Sequence, residues 1–291
     1  MTTHSNTTAE SQAPRGGFLG ALGDWVSDWG AWVLDSVAAV GDVALFAWRT
    51  LTWLVVRLPR GGTLLPVMYQ VGVLSLPVVA LTGTFIGMVL AVQAFYQFHQ
   101  LQMETRLGAV INMSLARELG PVLAATMLAG RVGGAMAAEL GTMRVTEQID
   151  ALSSMGANPI HHLVVPRFIS FVLLIPILTV MAVFMGVLGA YFYGVIILSI
   201  DQHHYLYNSQ QFVGPFDLFS GIFKSLFFGI AIVLVSCYQG FHCRAGAEGV
   251  GRAATAAFVH SFVLILAIDL LLGICLDSFY FMFWPEGHGL L

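Results

Sequence analysis

Long apolar stretches dominate the chain, and four of them carry at most one charged residue each. Each stretch exceeds the roughly 20 residues that a helix needs to cross a bilayer. A fifth segment contains Arg117, Glu118 and Arg131, but its remaining residues are mostly apolar or small. The pattern therefore predicts an all-α membrane protein with a five-span domain over residues 67–276. The expected transmembrane helices are residues 74–95, 108–138, 168–197, 218–241 and 253–276.

The segment before the first span has a different pattern. Its charged residues follow one another at offsets of 4, 7, 7 and 7, which places them in a stripe roughly 60° wide on a helix. Several tryptophans occupy the other faces, as is typical of an amphipathic helix that lies in the membrane interface. A sixth span is the alternative, but its charges would make insertion expensive. The stripe consists of Asp24, Asp28, Asp35, Asp42 and Arg49.

The flanks of this N-terminal helix are predicted from composition. Residues 1–23 begin with a polar stretch that lacks the basic start and apolar core of a secretory signal, so we expect a disordered cytosolic tail. The interfacial helix and an elbow are expected over residues 24–66. Helix-breaking residues should interrupt the helix before the first span. They are Pro59, Gly61, Gly62 and Pro66.

The distribution of basic residues predicts the orientation of the spans. If the N-terminus is cytosolic, nine of the 12 lysines and arginines lie inside, whereas only Arg106 lies outside. Arg117 and Lys224 lie within spans. Because an excess of basic residues marks the cytoplasmic side, this orientation is favoured over the reverse. Residues 277–291 then form a periplasmic tail.

Composition excludes several classes of function. The chain is 57% hydrophobic and 10% charged, whereas soluble domains carry about 25% charged residues. The net charge of -4 argues against a nucleic-acid partner. No P-loop, HExxH or GxSxG motif occurs, and neither the three cysteines nor the adjacent histidine pairs suit a metal site. We expect no catalytic residue, no metal and no cofactor bound by this chain, which cannot hydrolyse ATP through a P-loop.

Four ionisable residues within the predicted spans are the first candidates for a functional site. At about 1.5 Å per residue, Arg117, Lys224 and Asp269 lie roughly 13, 9 and 10 Å from the outer ends of their spans. With Glu118 beside Arg117, two positive and two negative side chains share one layer in the outer half of the membrane. The layer is interpreted either as a salt-bridged clasp between helices or as a polar patch that lines an outward-opening cavity and meets a lipid headgroup.

The cytosolic loop between the second and third spans predicts a short amphipathic helix over residues 146–155. Thr146 is the expected N-cap, with Glu147 and Asp150 in the first turn, where the helix dipole favours acids. Gly156 is placed to end the helix. The segment is either an ordinary loop helix or a docking helix for a cytosolic partner. A docking helix would account for the apolar side, which lies outside the bilayer and needs a cover. That side consists of Ile149, Leu152 and Met155.

Two small-residue pairs have the spacing that lets helices approach closely in membranes. Gly83 and Gly87 lie on the first span, and Gly130 and Gly134 lie on the second. The pairs predict tight helix packing, either within one chain or between subunits. The motif is common in membrane helices and does not by itself indicate a function.

One long block of sequence resembles the MlaE family of ABC transporter permeases. It reads AGRVGGAMAAELGTMRVTEQIDAL at residues 129–152, and ARELGPVL precedes it at residues 116–123. Similar short matches, such as MGANP at 155–159 and EGVGRAAT at 248–255, extend the resemblance over about residues 71–273.

The resemblance implies a homodimeric permease of the inner membrane, with an interfacial N-terminal helix and five spans. It also implies a cytosolic ABC ATPase that hydrolyses ATP and docks near residues 146–155. A periplasmic MCE-domain protein would exchange phospholipid with the permease, which maintains the lipid asymmetry of the outer membrane. Arg117, Glu118, Lys224 and Asp269 match family positions near the lipid pocket.

Two other classes of function stay open on the residues alone. An ion-coupled secondary transporter or channel could use the buried charges itself, although no internal repeat of broken helices is evident. An intramembrane enzyme acting on lipids is a further alternative, but the charged layer offers no convincing pair of nucleophile and base.

Overall fold

The computed structural model describes residues 18–56 and 61–283. Within these ranges the chain forms α-helices joined by short 3-10 and π-helical segments, and it contains no β-strand. The predicted all-α fold is therefore confirmed for the described residues. The α-helices are α1 (Phe18–Val56), α2 (Gly61–Val71), α3 (Leu76–Gln100), α4 (Leu107–Ser114), α5 (Gly120–Leu128), α6 (Gly134–Val145), α7 (Gln148–Ser154), α8 (Val165–Tyr191), α9 (Gln202–Phe212), α10 (Pro215–Phe241) and α11 (Ala247–Phe283).

The first helix runs through two compact units, one ending at Leu45 and the other beginning at Phe46. Helix α1 begins at Phe18, so the prediction of a disordered tail is wrong for residues 18–23. Leu19 and Leu22 favour helix and extend α1 towards the N-terminus. The rest of the predicted tail, residues 1–17, lies outside the described residues.

The predicted polar stripe of α1 is described only in part. The side chains of Asp42 and Arg49 are both exposed. Those of Asp24, Asp28 and Asp35 lie outside the described residues. The interfacial position of α1 stays a prediction.

Five helical stretches in the described ranges are long and apolar enough to cross a membrane, in agreement with the five predicted spans. The second and third each contain π-helical segments, and the first contains a short 3-10 turn at Val73–Ser75. The first and fifth spans are the least buried, so their surfaces remain available to lipid or to another subunit. The five stretches are Gly62–Gln100, Leu107–Val145, Ile160–Ile197, Pro215–Phe241 and Ala247–Tyr280.

The elbow before the first span differs from the prediction. Gly61, Gly62 and Pro66 were expected to interrupt the helix, but all three lie within α2. A proline removes the hydrogen bond to the carbonyl four residues earlier, which here belongs to Gly62 in the first turn. A lost bond so close to a helix end is tolerated, because terminal groups have few intrahelical partners in any case. Pro59 lies outside the described residues.

The fifth span also exceeds its predicted bounds. Helix α11 continues to Phe283, so residues 277–283 are helical rather than part of a tail. Phe279, Tyr280 and Met282 extend the apolar run beyond Asp277, and that one charge does not stop the helix. Residues 284–291 lie outside the described residues.

The spans from Gly62 onward place short helices at two opposite ends. We call the end that holds α9 the Tyr205 end, and the end that holds α7 the Asp150 end. Helix α9 docks through Tyr205, which is 1% exposed and packs in a cluster with Leu107 and Ile111 of α4. The Tyr205 end therefore has an ordered cap that joins the second span to the loop before the fourth.

The main apolar core lies between α8, α10 and the second span. Buried side chains such as Phe171, Ile175, Phe228 and Ile232 interlock there. Helix α10 contacts α6, α8 and α11, so it is the central element of the bundle. This arrangement brings one face of α10 against the charged positions of both the second and the fifth spans.

Candidate functional site: a charged layer within the spans

Lys224 is the most buried charged side chain in the described part of the chain, at 2% exposure. Its Nζ lies 2.7 Å from Glu118 Oε1 and 3.1 Å from Asp269 Oδ1. The three side chains belong to the fourth, second and fifth spans, so one ammonium group joins three helices. Because a lone charge in the membrane is expensive, this pairing allows Lys224 to stay inside the bundle.

Arg117 forms the second half of the layer. Its Nε lies 3.3 Å from Asp217 Oδ1 at the start of α10, and its Nη2 donates to Asp277 Oδ1 on α11. Asp217 also accepts the backbone N–H of Gly214 at 2.8 Å, which holds its carboxylate in place. Arg117 thus joins the same three spans as Lys224, on the side nearer the Tyr205 end.

Arg117 and Glu118 are neighbours on the second span but contact different partners. Leu115–Leu119 is π-helical and precedes Pro121, which lies at the start of α5. A proline at this position leaves a carbonyl without its usual donor, and a π-bulge accommodates such a change while altering side-chain directions. Because consecutive residues on a helix point about 100° apart, Arg117 faces the carboxylates of Asp217 and Asp277 while Glu118 faces the Lys224 ammonium.

The four predicted residues all take part in ion pairs, and two further acids join them. Asp217 directly precedes the predicted fourth span and Asp277 begins the predicted tail, yet both contact Arg117. The layer therefore holds two basic groups and four carboxylates. Glu118 and Asp277 have side chains 49% and 52% exposed, so the surplus acidic groups face outward.

The sequence contained a signal for both missed residues. Asp217 precedes Lys224 by two helical turns on α10, and Asp277 follows Asp269 by about two turns on α11. Residues at such spacing lie on the same side of a helix. The charged face of each helix continues beyond the predicted end of the span. Following it by two turns reaches Asp217 on α10 and Asp277 on α11, at the level of Arg117.

The short helix at the Asp150 end begins later than predicted. Thr146 caps the C-terminus of α6, and its hydroxyl donates to the carbonyl of Thr142 at 2.8 Å, so its assignment as N-cap is wrong. Glu147 is the N-cap of α7 and has a positive φ of 60°. This turn separates α7 from α6 and leaves Thr146 as the C-cap of the preceding helix. Gly156 follows α7 with φ 76°, a conformation that favours glycine.

The apolar side of α7 is divided between core and surface. Ile149 is 4% exposed, whereas Met155 is 73% exposed and Leu152 is partly buried. Asp150 receives a 2.6 Å hydrogen bond from Arg144 of α6, so the start of α7 is fixed to the second span. Met155 is therefore the most exposed apolar side chain of this segment, whereas Ile149 is buried.

The two glycine pairs differ in how closely they approach other helices. A Cβ on Gly83 would lie 2.6 Å from the Ala182 carbonyl oxygen, and one on Gly87 would lie 1.9 Å from that of Gly186. At Gly130 and Gly134 the nearest atoms would be 3.4 and 3.7 Å away, which is ordinary contact. Only the first pair requires glycine for the packing seen within this chain.

Comparison with known proteins places this arrangement in a family. The sequence profile of the family described as Permease MlaE matches residues 64–275, which include the charged layer up to Asp269 and all of α7. The chain belongs to the MlaE permease family. It is 42% identical over 234 residues to a probable ABC transporter permease protein of Rickettsia conorii, which covers 80% of this chain and 90% of that protein.

Two further relatives of this MlaE family member carry more specific names. The intermembrane phospholipid transport system permease protein MlaE of Haemophilus influenzae is 32% identical over 250 residues, covering 86% of this chain and 96% of that protein. The chloroplastic protein trigalactosyldiacylglycerol 1 of Arabidopsis thaliana is 37% identical over 212 residues, covering 73% and 59%. The chain is accordingly a permease subunit of an ABC transporter and a multi-pass inner membrane protein.

Proposed function

We propose that this permease moves phospholipids between the inner membrane and a periplasmic carrier, with energy from a separate ATPase. The observation that carries the proposal is the charged layer, in which buried Lys224 is paired while Glu118 and Asp277 expose carboxylate surface. A lipid headgroup is polar and must cross the apolar interior of the membrane. A layer of fixed charges gives it polar contacts there, while the apolar surfaces of the spans accept the acyl chains.

The orientation follows from the basic residues. Among the described residues, the Asp150 end carries Arg144, Arg167, Arg244 and Arg252, whereas Arg106 is the one arginine or lysine at the Tyr205 end. The Asp150 end is therefore placed in the cytosol and the Tyr205 end in the periplasm. In this orientation the charged layer lies in the outer half of the membrane, with the N-terminus in the cytosol and the C-terminus in the periplasm.

The cytosolic ATPase docks on α7 in this proposal. Exposed Met155 inserts into the partner, while the Arg144–Asp150 pair and buried Ile149 fix α7 to the second span. A push on α7 is then transmitted along α6 towards Arg117 and Glu118. Helix α6 and these two residues belong to the same continuous helical stretch, Leu107–Val145. ATP binds to the ATPase, and this chain supplies the path for the lipid.

The remaining partners follow from the exposed surfaces. The first and fifth spans are the least buried, which suits a homodimer with the lipid cavity between the two copies. A periplasmic MCE-domain protein would receive or deliver the lipid at the Tyr205 end. Alternating access then moves the headgroup past Arg117 and Lys224 as the cavity opens and collapses.

Reconstitution tests the proposal directly. The permease is placed in proteoliposomes with its ATPase and MCE-domain partner, and transfer of a fluorescent phospholipid to the carrier is measured. Transfer that needs ATP and falls in Lys224→Ala supports the proposal. Transfer driven by an ion gradient without ATP would instead support the secondary transporter, and a chemically altered lipid would support an intramembrane enzyme.

A further inference from the structure

Arg131 is a charged side chain of the second span that lies outside the charged layer. It belongs to the π-helical segment Ala129–Gly133, and its side chain is exposed. Its guanidinium donates a hydrogen bond to the hydroxyl of Ser75, a side chain that is 1% exposed. Within residues 18–56 and 61–283, Arg131 forms no ion pair. A guanidinium has five N–H donors, so a single hydroxyl leaves most of its binding capacity unused.

Three other arginines near the Asp150 end are neutralised by carboxylates. Arg144 pairs with Asp150 at 2.6 Å, and Arg167 Nη2 lies 2.9 Å from Glu139 Oε2. Arg252 pairs with Glu248 one turn earlier on α11. Arg131 differs from these three arginines, because its partner Ser75 is neutral and holds the guanidinium without balancing its charge.

The position of Arg131 along the helix corresponds to a membrane boundary. Arg131 follows Arg117 by 14 residues on one helical stretch, which is about 21 Å at 1.5 Å per residue. Counted from the predicted span ends, the charged layer is expected roughly 10 Å inside one boundary of a hydrocarbon core about 30 Å thick. Arg131 consequently reaches the opposite boundary, where the phosphate groups of the leaflet at the Asp150 end lie.

An exposed apolar stripe on α3 begins beside this arginine. Val78, Leu81, Phe85 and Val89 are all exposed and recur at helical spacing. From Ser75 to Val89 the stripe extends for about 21 Å towards the Tyr205 end. An acyl chain attached to a phosphate at Arg131 would run in the same direction, from the boundary to the bilayer interior.

We propose that Arg131 and Ser75 form a phosphate-binding site for a phospholipid drawn from the leaflet at the Asp150 end. The guanidinium matches the geometry of a phosphodiester and can bind two of its oxygens, while Ser75 fixes the side chain beside α3. The acyl chains lie along the stripe from Val78 to Val89. This second lipid site goes beyond the charged layer and rests on the proposed function only in that the spans lie in a bilayer.

Photo-crosslinking of the full chain in phosphatidylcholine nanodiscs tests the site. The probes are phosphatidic acid and diacylglycerol, each with a photoreactive acyl chain, and mass spectrometry measures the cross-links to α3. Phosphatidic acid should cross-link to Val78–Val89 in the wild type, and Arg131→Gln should reduce this about tenfold, since a charge-assisted bond is lost. Arg131→Lys should keep part of the signal, and diacylglycerol should be unaffected by either change.

Arg252→Gln is the matched control, because it removes an exposed arginine that already has a carboxylate partner. It should leave the cross-links to α3 at the wild-type level. Equal cross-linking by Arg131→Gln and wild type would overturn the site, as would an equal loss for diacylglycerol. Displacement of phosphatidic acid by excess inorganic phosphate would show a site for free anions and overturn the lipid assignment. The readout uses no ATP and no partner chain, so its failure is separate from failure of the transport assay.

Discussion

Lys224 Nζ and Asp269 Oδ1 lie 3.1 Å apart, on the fourth and fifth spans, and the same ammonium lies 2.7 Å from Glu118 of the second span. The lysine is 2% exposed and Asp269 is 19% exposed. Each group is tolerated in the bundle because the other is present. The pair is therefore a structural clasp and also one wall of the region through which we propose that headgroups pass.

Removing the lysine should leave two carboxylates without their counter-charge. Lys224→Ala is expected to lower the free energy of unfolding by about 2–5 kcal/mol, as for one member of a buried pair, and to abolish lipid transfer. Thermal unfolding in detergent and the proteoliposome assay check this. Arg252→Ala, which removes an exposed pair, should cost less than about 1 kcal/mol.

The clasp can also be inverted. The double variant Lys224→Asp with Asp269→Lys should recover part of the stability that each single change removes, because the two charges again attract each other. A swap that recovers nothing would show that Glu118 and the wider layer fix the sign at each position. Wild-type stability and transfer in both single variants would remove the clasp from the account.

The packing of the first span against the third should depend on Gly87. A Cβ there would lie 1.9 Å from the Gly186 carbonyl oxygen, so Gly87→Ala forces α3 and α8 apart. We expect a loss of at least about 1–3 kcal/mol in stability, the usual cost of overpacking. Gly130→Ala is the control, since its Cβ would meet Phe258 at 3.4 Å. Similar melting temperatures for the two variants would contradict the packing.

Coupling to the ATPase should depend on Met155 more than on Ile149. Met155→Asp places a charge on the exposed end of α7 and should reduce ATP-dependent transfer and ATPase co-purification, with the melting temperature unchanged. Ser154→Asp adds the same charge at the neighbouring exposed residue and should have a smaller effect. Ile149→Asp should instead destabilise α7, because Ile149 is 4% exposed. Full ATPase binding by Met155→Asp would remove α7 as the docking element.

The cap at the Tyr205 end should weaken at high pH. Burial raises the pKa of Tyr205 from 10.0 to about 12. The folded state thus favours the neutral phenol, and the stability it contributes is present below about pH 10 and is lost as the pH rises towards 12. The melting temperature of the wild type should fall more steeply over this range than that of Tyr205→Phe. Parallel curves for the two proteins would contradict the shift.

The charged layer was largely predictable, because the depth of a residue in a straight membrane-spanning helix changes by a fixed distance with each residue. Counting residues from the span ends placed Arg117, Lys224 and Asp269 at one level, and the structure brings all three into ion pairs. Asp217 and Asp277 were missed because they were assigned to positions outside the spans. Helices that continue past the apolar run carry such residues into the bundle.

Local backbone changes were not predictable in the same way. Arg117 and Glu118 lie in a π-helical segment, Leu115–Leu119, which the regular helical period of the sequence does not reveal. Glu147 likewise has a positive φ, and α7 begins two residues later than the predicted residue 146. Both features depend on tertiary packing, although Pro121 and Gly156 mark where the regular helix is under constraint.

Cysteine labelling across sealed membranes tests the orientation on which the account depends. In a background with Cys243 and Cys275 replaced by serine, single cysteines are introduced as Met155→Cys and His203→Cys, both at exposed positions. An impermeant maleimide should label residue 203 in spheroplasts and residue 155 only in inverted vesicles. Labelling of residue 155 in intact spheroplasts would place α7 in the periplasm, away from any ATPase, and would contradict the proposed transport mechanism.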